Sequence, residues 1–468
     1  MNQYLTLLTI IPIAAGFLEF LIWKMNISRR LYGVLSIAAC LCCSILSIWF
    51  SYDHYYSKEL VSLKMGLPWI QSMGINLSFG IDPVCALIAP ILIISMLYCL
   101  LISKLDEEKD SLYFIYMMAL MVGASGFIIS RNIAIKILFW EICWVPIFFI
   151  MIGEGKKSIA AHFSIIWFIS ELMMISGLVL LYTQMGQNHQ IEKLSALRNS
   201  DLNTEIIFWL FMSGIVLRSM LLPFNKLLAK IIEELPSSFS SMISVLMPSL
   251  SLVFMVQVII PIFQIQLNTY NIYLSTSLII IAGINLIGFI KEKTVYSVIN
   301  AQIIVFTSIM LACLAAIDRT SITGAIEMMT LKLPLNLLIV SCGVMAARHE
   351  MKIKSVYTWI FVSAILLSFG IPGLSLFGPI FKVVGFWNTQ QLWLGISICT
   401  ILAALLVITS FIISKEMDMN NRSDHALSYP AVITAVIIMI ISILAASSYS
   451  PMKDMSDNYF KGISGDMY

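Results

Sequence analysis

The sequence predicts an all-α membrane protein with about fourteen transmembrane helices. Its composition is the first reason: 59% of the 468 residues are hydrophobic and only 12% are charged. Soluble domains are about 45–50% apolar and about 25% charged. The second reason is that apolar runs of about 20 residues, the length that crosses a bilayer, follow one another along the chain. The excess apolar surface is therefore expected to face lipid, and no remaining stretch fits a soluble domain.

The predicted spans, numbered 1 to 14, cover residues 4–23, 31–51, 82–103, 111–130, 133–153, 161–185, 204–226, 239–264, 272–290, 297–317, 321–346, 357–385, 390–414 and 429–449. The first run lacks a basic region before it, so we expect a retained helix and not a cleaved signal peptide. The longest connection, 52–81, has room for a short hairpin.

Lysine and arginine are unevenly divided between the two sides. Connections after odd-numbered spans hold sixteen of them, counting Lys226 at the very end of span 7, and those after even-numbered spans hold six, Arg131 included. Cytoplasmic loops carry the excess of positive charge. This bias predicts that both termini lie on the non-cytoplasmic side of the inner (cell) membrane.

Several classes of function are excluded by what the sequence lacks. There is no basic tract for nucleic acid. The cysteines and histidines do not have metal-ligand or iron–sulfur spacing. No dinucleotide fingerprint or phosphate-binding loop is present. We therefore expect no cofactor, no metal and no redox site in this chain.

Ionisable residues inside the apolar runs are the candidate functional groups. Each costs at least about 2.5–3.5 kcal/mol to insert into a bilayer, so these side chains should face the bundle interior or a hydrated cavity. Such a row can relay charge, or it can consist of static ion pairs that lock helices together. The residues are Glu19, Lys136, Glu141, Glu171, Arg218, Glu327, Lys332 and Lys382.

Prolines mark two spans as interrupted. Pro223 follows Arg218 in span 7, and Pro372-Gly373 precedes Lys382 in span 12. Corresponding breaks in the two halves indicate inverted repeats, here spans 4–8 and 9–13. The predicted regions are three N-terminal spans, a first repeat, a second repeat, and a C-terminal span with its tail, at residues 1–110, 111–264, 265–414 and 415–468.

These motifs resemble those of one family. Phe-Trp-Glu-x-x-x-x-Pro at 139–146, with the fourteen spans, is similar to the antiporter-like membrane subunits of NADH:quinone oxidoreductase (complex I), closest to subunit M. The family includes Mrp-type cation/proton antiporter subunits and membrane subunits of energy-converting hydrogenases.

The resemblance assigns expected roles to individual residues. Glu141 falls on the family's essential glutamate and Arg218 on the lysine that pairs with it. Ser249 stands where a second, central lysine is usual, and Lys332 stands where a histidine is usual. Lys382 is nearest to the ionisable residue of the second broken helix. The remaining motif matches are Pro223 and Glu234 in the first break region, and Pro372 and Gly373 in the second.

The resemblance implies proton translocation driven by redox chemistry elsewhere. NADH, flavin, iron–sulfur clusters and quinone are expected in partner subunits, and the partners are other membrane subunits and lipid. Arginine stays protonated in essentially any site, whereas a buried lysine can release its proton. With Arg218 and Ser249 in place of lysines, three functions stay open: a complex I subunit, an antiporter or hydrogenase subunit, and a non-conducting structural subunit.

Overall fold

A computed structural model describes residues 2–25, 30–57, 62–70, 75–103, 111–185, 191, 204–221, 223–348, 355–370 and 374–419. Helices α1 to α6 are Leu7–Lys24, Arg30–Ser57, Pro83–Ser103, Ser111–Ile129, Ile133–Gly153 and Lys157–Met185. Helices α7 to α10 are Thr204–Arg218, Asn225–Glu234, Ser237–Ile262 and Gln264–Glu292. Helices α11 to α15 are Val295–Ala315, Arg319–Arg348, Val356–Ser368, Phe377–Gln390 and Leu392–Met419.

Eleven of these helices are long and apolar enough to cross a membrane. Spans 7 and 12 are each divided instead: α7 ends at Arg218 before the short α8, and α13 and α14 are separated by residues 369–376. The helices therefore follow predicted spans 1–13 in order. Span 14 lies outside the described residues, so the count of fourteen stays a prediction, as do the inverted repeats and the predicted domain boundaries.

Both breaks lie where the sequence places them. Between α7 and α8, Met220 has a positive φ of 54° and Pro223 follows. Between α13 and α14, Gly370 has a φ of 61°, a conformation that suits glycine. Pro372 and Gly373 themselves lie outside the described residues. Helix α8 is amphipathic, with its apolar side chains buried and its charged ones at the surface.

The connection 52–81 contains the expected hairpin. Strands β1 (Ser62–Ile70) and β2 (Ile75–Ile81) pair antiparallel, with Met65 opposite Phe79 and Leu67 opposite Leu77. The end of β2 runs directly into Asp82 and the start of α3. This places a carboxylate at the first turn of a helix, where Asp82 Oδ1 caps the backbone N–H of Cys85 at 2.6 Å.

The described chain forms two compact units. Unit 1 comprises Met1–Arg218 and Leu250–Thr269, and unit 2 comprises Ser219–Ser249 and the described residues from Tyr270 onward. In unit 1, α4 packs on α1 and α5, α2 on α3, and α6 on α7. In unit 2, α12 packs against α11, α13 and α14. Each unit buries its own ionisable side chains, which are described separately below.

Candidate functional site

Arg218 is the centre of the main cluster in unit 1. It ends α7, is 2% exposed, and places Nη2 2.5 Å from Glu141 Oε1 on α5. The same nitrogen contacts Glu171 Oε2 on α6. Arg218 Nε donates to Ser170 Oγ at 2.9 Å. The predicted contact between Glu141 and Arg218 is therefore present, but the guanidinium serves two carboxylates and not one.

Two indole rings hold the guanidinium in place. Arg218 Cζ lies 4.5 Å from the ring centroids of both Trp140 and Trp167. Trp167 Nε1 also donates to Glu141 Oε2 at 2.8 Å. Cation–π contacts of this kind are strongest where water is excluded. Arg218 Nη1 is buried without a hydrogen-bond partner among the described residues, which leaves a donor available at the centre of the cluster.

The charge of this cluster does not balance. One guanidinium cannot neutralise two ionised carboxylates, and like charges that share a site do not both ionise readily. The cluster can therefore take up a proton on a carboxyl group while Arg218 keeps its own. Glu141 is the more accessible acid, with 27% of its side chain exposed against 14% for Glu171.

A second polar network lies at the start of α5 in unit 1. Lys136, fully buried, donates to Phe127 O at 2.5 Å and to Gln257 Oε1 at 2.7 Å. Gln257 Nε2 donates to Asp82 Oδ2 at 2.8 Å, and Arg131 Nη1 lies 2.5 Å from the same oxygen. Gln257 sits in a π-helical segment of α9, Met255–Ile259. Single π turns inside α-helices are frequent at functional sites.

The ion pair between Arg131 and Asp82 affects how the distribution of Lys and Arg reports membrane sidedness. Arg131 belongs to the six cations of the even-numbered connections, yet it is 8% exposed and ion-paired with Asp82. A cation neutralised by a buried partner reports little about membrane sidedness. Leaving it out removes one cation from the minor side, so the bias itself is unchanged in direction.

In unit 2, an ion pair joins two helices. Lys382 Nζ on α14 donates to both oxygens of Glu327 on α12, at 2.7 and 2.9 Å. The carboxylate is the deeper partner, with 2% of its side chain exposed against 28% for Lys382. The two helices approach closely at Gly324, where an added Cβ would lie 3.3 Å from Pro379 O.

Lys332 on α12 is held by neutral groups. Its nitrogen donates to Gln302 Oε1 at 3.0 Å and lies 3.9 Å from the ring centroid of Phe306. Ser368 Oγ donates to the same glutamine oxygen at 3.3 Å. Gln302 Nε2 is buried without a partner in the described part of the chain. The lysine is fully buried, as the cost of exposing it to lipid predicts.

Ser249 and Glu234 are the remaining predicted site residues in the described part of the chain. Ser249 is buried and donates to Leu246 O of its own helix at 2.9 Å. Glu234 is exposed at the end of α8. Sequence reasoning included Glu171 and Glu327 only as intramembrane acids and did not include Gln257 or Gln302 at all.

The fold defines the class of protein. It matches, over 98% of this chain and 99% of the other, a chain of respiratory complex I from Thermus thermophilus with a TM-score of 0.82 and 13% identity. It matches a chain of the Mrp complex from Dietzia sp. with a TM-score of 0.86 and 12% identity, covering 99% and 97%. A chain of the archaeal membrane-bound sulfane sulfur reductase matches over the full length of both, with a TM-score of 0.85 and 14% identity. The chain is a multi-pass membrane protein with the fold of antiporter-like membrane subunits.

Curated relatives agree with the fold. The chain is 25% identical over 251 residues to NADH-quinone oxidoreductase subunit M of Buchnera aphidicola subsp. Schizaphis graminum, covering half of each protein. It is 27% identical over 195 residues to the putative antiporter subunit mnhA2 of Staphylococcus aureus, covering 39% of this chain and 24% of that protein. The matched region thus spans half or less of these relatives' length. No protein-family model matches the chain. The resemblance predicted from the motifs is confirmed.

Proposed function

We propose that this chain is a proton-translocating membrane subunit of a multisubunit respiratory complex of the NADH:quinone oxidoreductase kind. Electron transfer would take place in partner subunits, which would carry NADH, flavin, iron–sulfur clusters and quinone. The chain would lie in the inner (cell) membrane with both termini on the non-cytoplasmic side. The observation that carries the proposal is the Glu141–Arg218–Glu171 cluster.

In this cluster the carboxylates are the proton carriers. Arg218 keeps its charge, so its role is to hold two acids in one buried site. With both acids ionised, the cluster has one negative charge in excess, and taking up one proton neutralises it. Glu141, the more exposed acid, is the natural entry point, and the unpartnered Arg218 Nη1 can bind a water molecule beside it. Proton uptake and release at this site would then be coupled to changes at partner subunits.

Lys332 and Lys382 would carry protons in unit 2. Both are lysines in buried or half-buried positions, and both can release a proton, unlike arginine. Lys382 is paired with Glu327, which stabilises its charged form, whereas Lys332 is held by a neutral amide. Glu234 and Ser249 complete the set assigned by the family resemblance.

A second candidate is a subunit of a cation/proton antiporter, which the likeness to the Mrp complex and to mnhA2 favours. A third, a non-conducting structural subunit, is favoured by Arg218 and Ser249 at positions where the family usually has lysine. A hydrogenase membrane subunit shares the same fold.

The test begins with the native complex. The chain is tagged, the complex is purified in mild detergent, and its partner subunits are identified. The complex is reconstituted into liposomes, and proton uptake is measured with a pH-sensitive dye during electron transfer from NADH to quinone. The first candidate predicts redox partners and proton movement without added sodium. An antiporter predicts no redox partners and proton movement driven by a cation gradient.

Glu141→Gln tests the site within that complex. Exposed Glu292, at the end of α10, offers a matched control in Glu292→Gln. We expect Glu141→Gln to lower proton movement per assembled complex while Glu292→Gln leaves it unchanged. Normal proton movement per complex in Glu141→Gln would exclude the proposed carboxylate site.

A further inference from the structure

Unit 1 contains a buried lysine that the family resemblance does not assign. Lys136 lies one and a half turns before Glu141 on α5, about 7–8 Å along the helix axis. It is 0% exposed, and its two hydrogen-bond partners in the described chain, the Phe127 carbonyl and the Gln257 side-chain oxygen, are both neutral. We propose that Lys136 is a second proton-binding residue of unit 1, which takes up and releases a proton at its side-chain nitrogen.

The neighbouring charges leave the ammonium without compensation. Among the described residues, the ionisable groups near Lys136 are Asp82, Arg131 and the thiol of Cys85. Asp82 is already ion-paired with Arg131 at 2.5 Å, and Gln257 Nε2 occupies the same carboxylate oxygen. Because Arg131 neutralises Asp82, a proton on Lys136 gives the network one positive charge in excess. Burying an unpaired charge is costly. The charged form of Lys136 therefore has an electrostatic reason to release its proton.

The hydrogen-bond partners suit both protonation states. Both described partners are acceptors, and a neutral amine still has two N–H donors for them. The nitrogen also lies 4.5 Å from the centroid of the Phe127 ring, so the third N–H of the ammonium can point at the ring face. Neither state leaves a required donor unmatched, so protonation changes the charge without requiring the site to rearrange. In the release step, one N–H bond of the ammonium breaks, its electron pair stays on the nitrogen, and the proton passes to a water molecule.

Unit 2 contains the same arrangement. Lys332 is also fully buried, also donates to a glutamine oxygen, and also lies over a phenylalanine ring, that of Phe306 at 3.9 Å. Each unit thus has, besides its ion pairs, one buried lysine held by a glutamine oxygen and a phenylalanine ring. This recurrence argues that the lysine–glutamine–phenylalanine group has a role of its own.

Lys136 is connected to the carboxylate cluster through aromatic rings. Phe127, under the Lys136 nitrogen, is in edge contact with Trp140 at 4.8 Å between centroids. Trp140 also contacts the guanidinium of Arg218, whose Cζ lies 4.5 Å from the ring centroid. The two proton-binding groups therefore lie on either side of a Phe127–Trp140 pair. This inference rests on the proposed function, because it adds a proton-binding residue to the same unit.

The experiment compares three variants in the purified, reconstituted complex. Lys136→Met has a similar length and binds no proton, Lys136→Arg keeps a fixed charge, and Lys291→Arg is a control at an exposed lysine. Proton movement per assembled complex should fall about a hundredfold in both Lys136 variants, the lower end of what a positioned proton carrier contributes. It should be unchanged in Lys291→Arg.

A second measurement does not depend on transport. The Tm of the purified complex is recorded across its stable pH range for wild type and Lys136→Met. Because the added proton is an unpaired buried charge, the wild type should lose stability relative to Lys136→Met as the pH falls. A Tm difference that does not vary with pH would overturn the inference. Failure of both variants to assemble would also overturn it, because Lys136 would then be a structural cation.

The two measurements separate this inference from the proposed function. If Glu141→Gln stops proton movement and both Lys136 variants support it normally, only the inference fails. If wild type moves no protons, the proposed function fails, and the pH dependence of the Tm difference alone decides whether Lys136 changes its charge.

Discussion

Glu141→Gln is the most informative single change, because the structure alters its expected cost. Glu141 Oε1 accepts from Arg218 at 2.5 Å and Oε2 accepts from Trp167 at 2.8 Å. Glutamine has one acceptor oxygen, so its NH2 group would face one of these two donors. A buried donor left unmatched costs about 1–3 kcal/mol. Removing the only partner of a buried cation costs more, about 3–5 kcal/mol.

The larger cost does not apply, because Glu171 still neutralises Arg218 in the variant. The cluster also loses its excess negative charge, which offsets part of the loss. We therefore expect a destabilisation of about 1–3 kcal/mol and substantial assembly of the complex. If Glu141 were the only carboxylate on Arg218, Glu141→Gln should assemble poorly. Because Glu171 also contacts Arg218, enough complex should assemble for a transport assay.

The assay needs two numbers from each preparation: the amount of assembled complex and the rate of proton movement per complex. Assembly is followed by native gel electrophoresis and proton movement by dye quenching in liposomes, with Glu292→Gln as the control. A structural pair predicts less complex with normal movement per complex. A proton-carrying site predicts that assembled complex remains while proton movement per complex falls. Loss of assembly with normal proton movement per complex would refute the assignment.

Three further predictions test the rest of the molecule. Arg218→Lys gives up the Ser170 contact and the stacking between two indoles, so it should lower stability by roughly 1–3 kcal/mol, measured as Tm, while transport per complex persists. In unit 2, Glu327 is the deeper partner, so Lys382→Met should destabilise the complex more than Glu327→Gln does; equal Tm losses would contradict this. Cysteines introduced at 156 and 193 should react with impermeant reagents from opposite sides, and labelling from one side would overturn the topology.

The order and position of the helices could be predicted because bilayer thickness fixes the length of a span. Thirteen predicted spans correspond to described helices, and the hairpin appears in the connection that had room for it. Prolines and glycines indicated both breaks. The exact end of α7 could not be predicted from the proline. The helix stops at Arg218, five residues before Pro223, because the chain already turns at Met220.

Side-chain partners were harder to predict, since they depend on how helices far apart in sequence align. Glu327 and Lys382 were both recognised as intramembrane charges, but their pairing follows from the contact between α12 and α14. A usable signal did exist for Glu171. Trp167, Ser170 and Glu171 recur at positions i, i+3 and i+4, which share one face of a helix. That polar face in an apolar run indicates a buried partner.

Neutral polar residues were missed for a different reason. Ionisable groups have the largest burial cost and therefore mark a site most clearly, whereas an amide in an apolar run is a weaker signal. Gln257 and Gln302 are 2% and 0% exposed, and each accepts a hydrogen bond from a buried lysine. Buried polar groups must be hydrogen-bonded, so an amide inside an apolar run is itself an indication of a polar partner. Both glutamines lie inside predicted spans, so each could have been recognised as a buried polar residue that needs a partner.

In the proposed site the exchangeable proton lies on the acids, because Arg218 keeps its own, and a double variant tests whether the two acids share it. Either Glu141 or Glu171 alone can neutralise Arg218, so each single glutamine variant keeps a paired guanidinium. Glu141→Gln with Glu171→Gln leaves a 2%-exposed cation without a carboxylate in its described contacts, at about 3–5 kcal/mol. The double variant should therefore lose far more assembled complex than the two single variants combined. Adding Arg218→Met to it should restore assembly while leaving transport absent. Additive losses in the double variant would mean that the two acids act independently and share no proton.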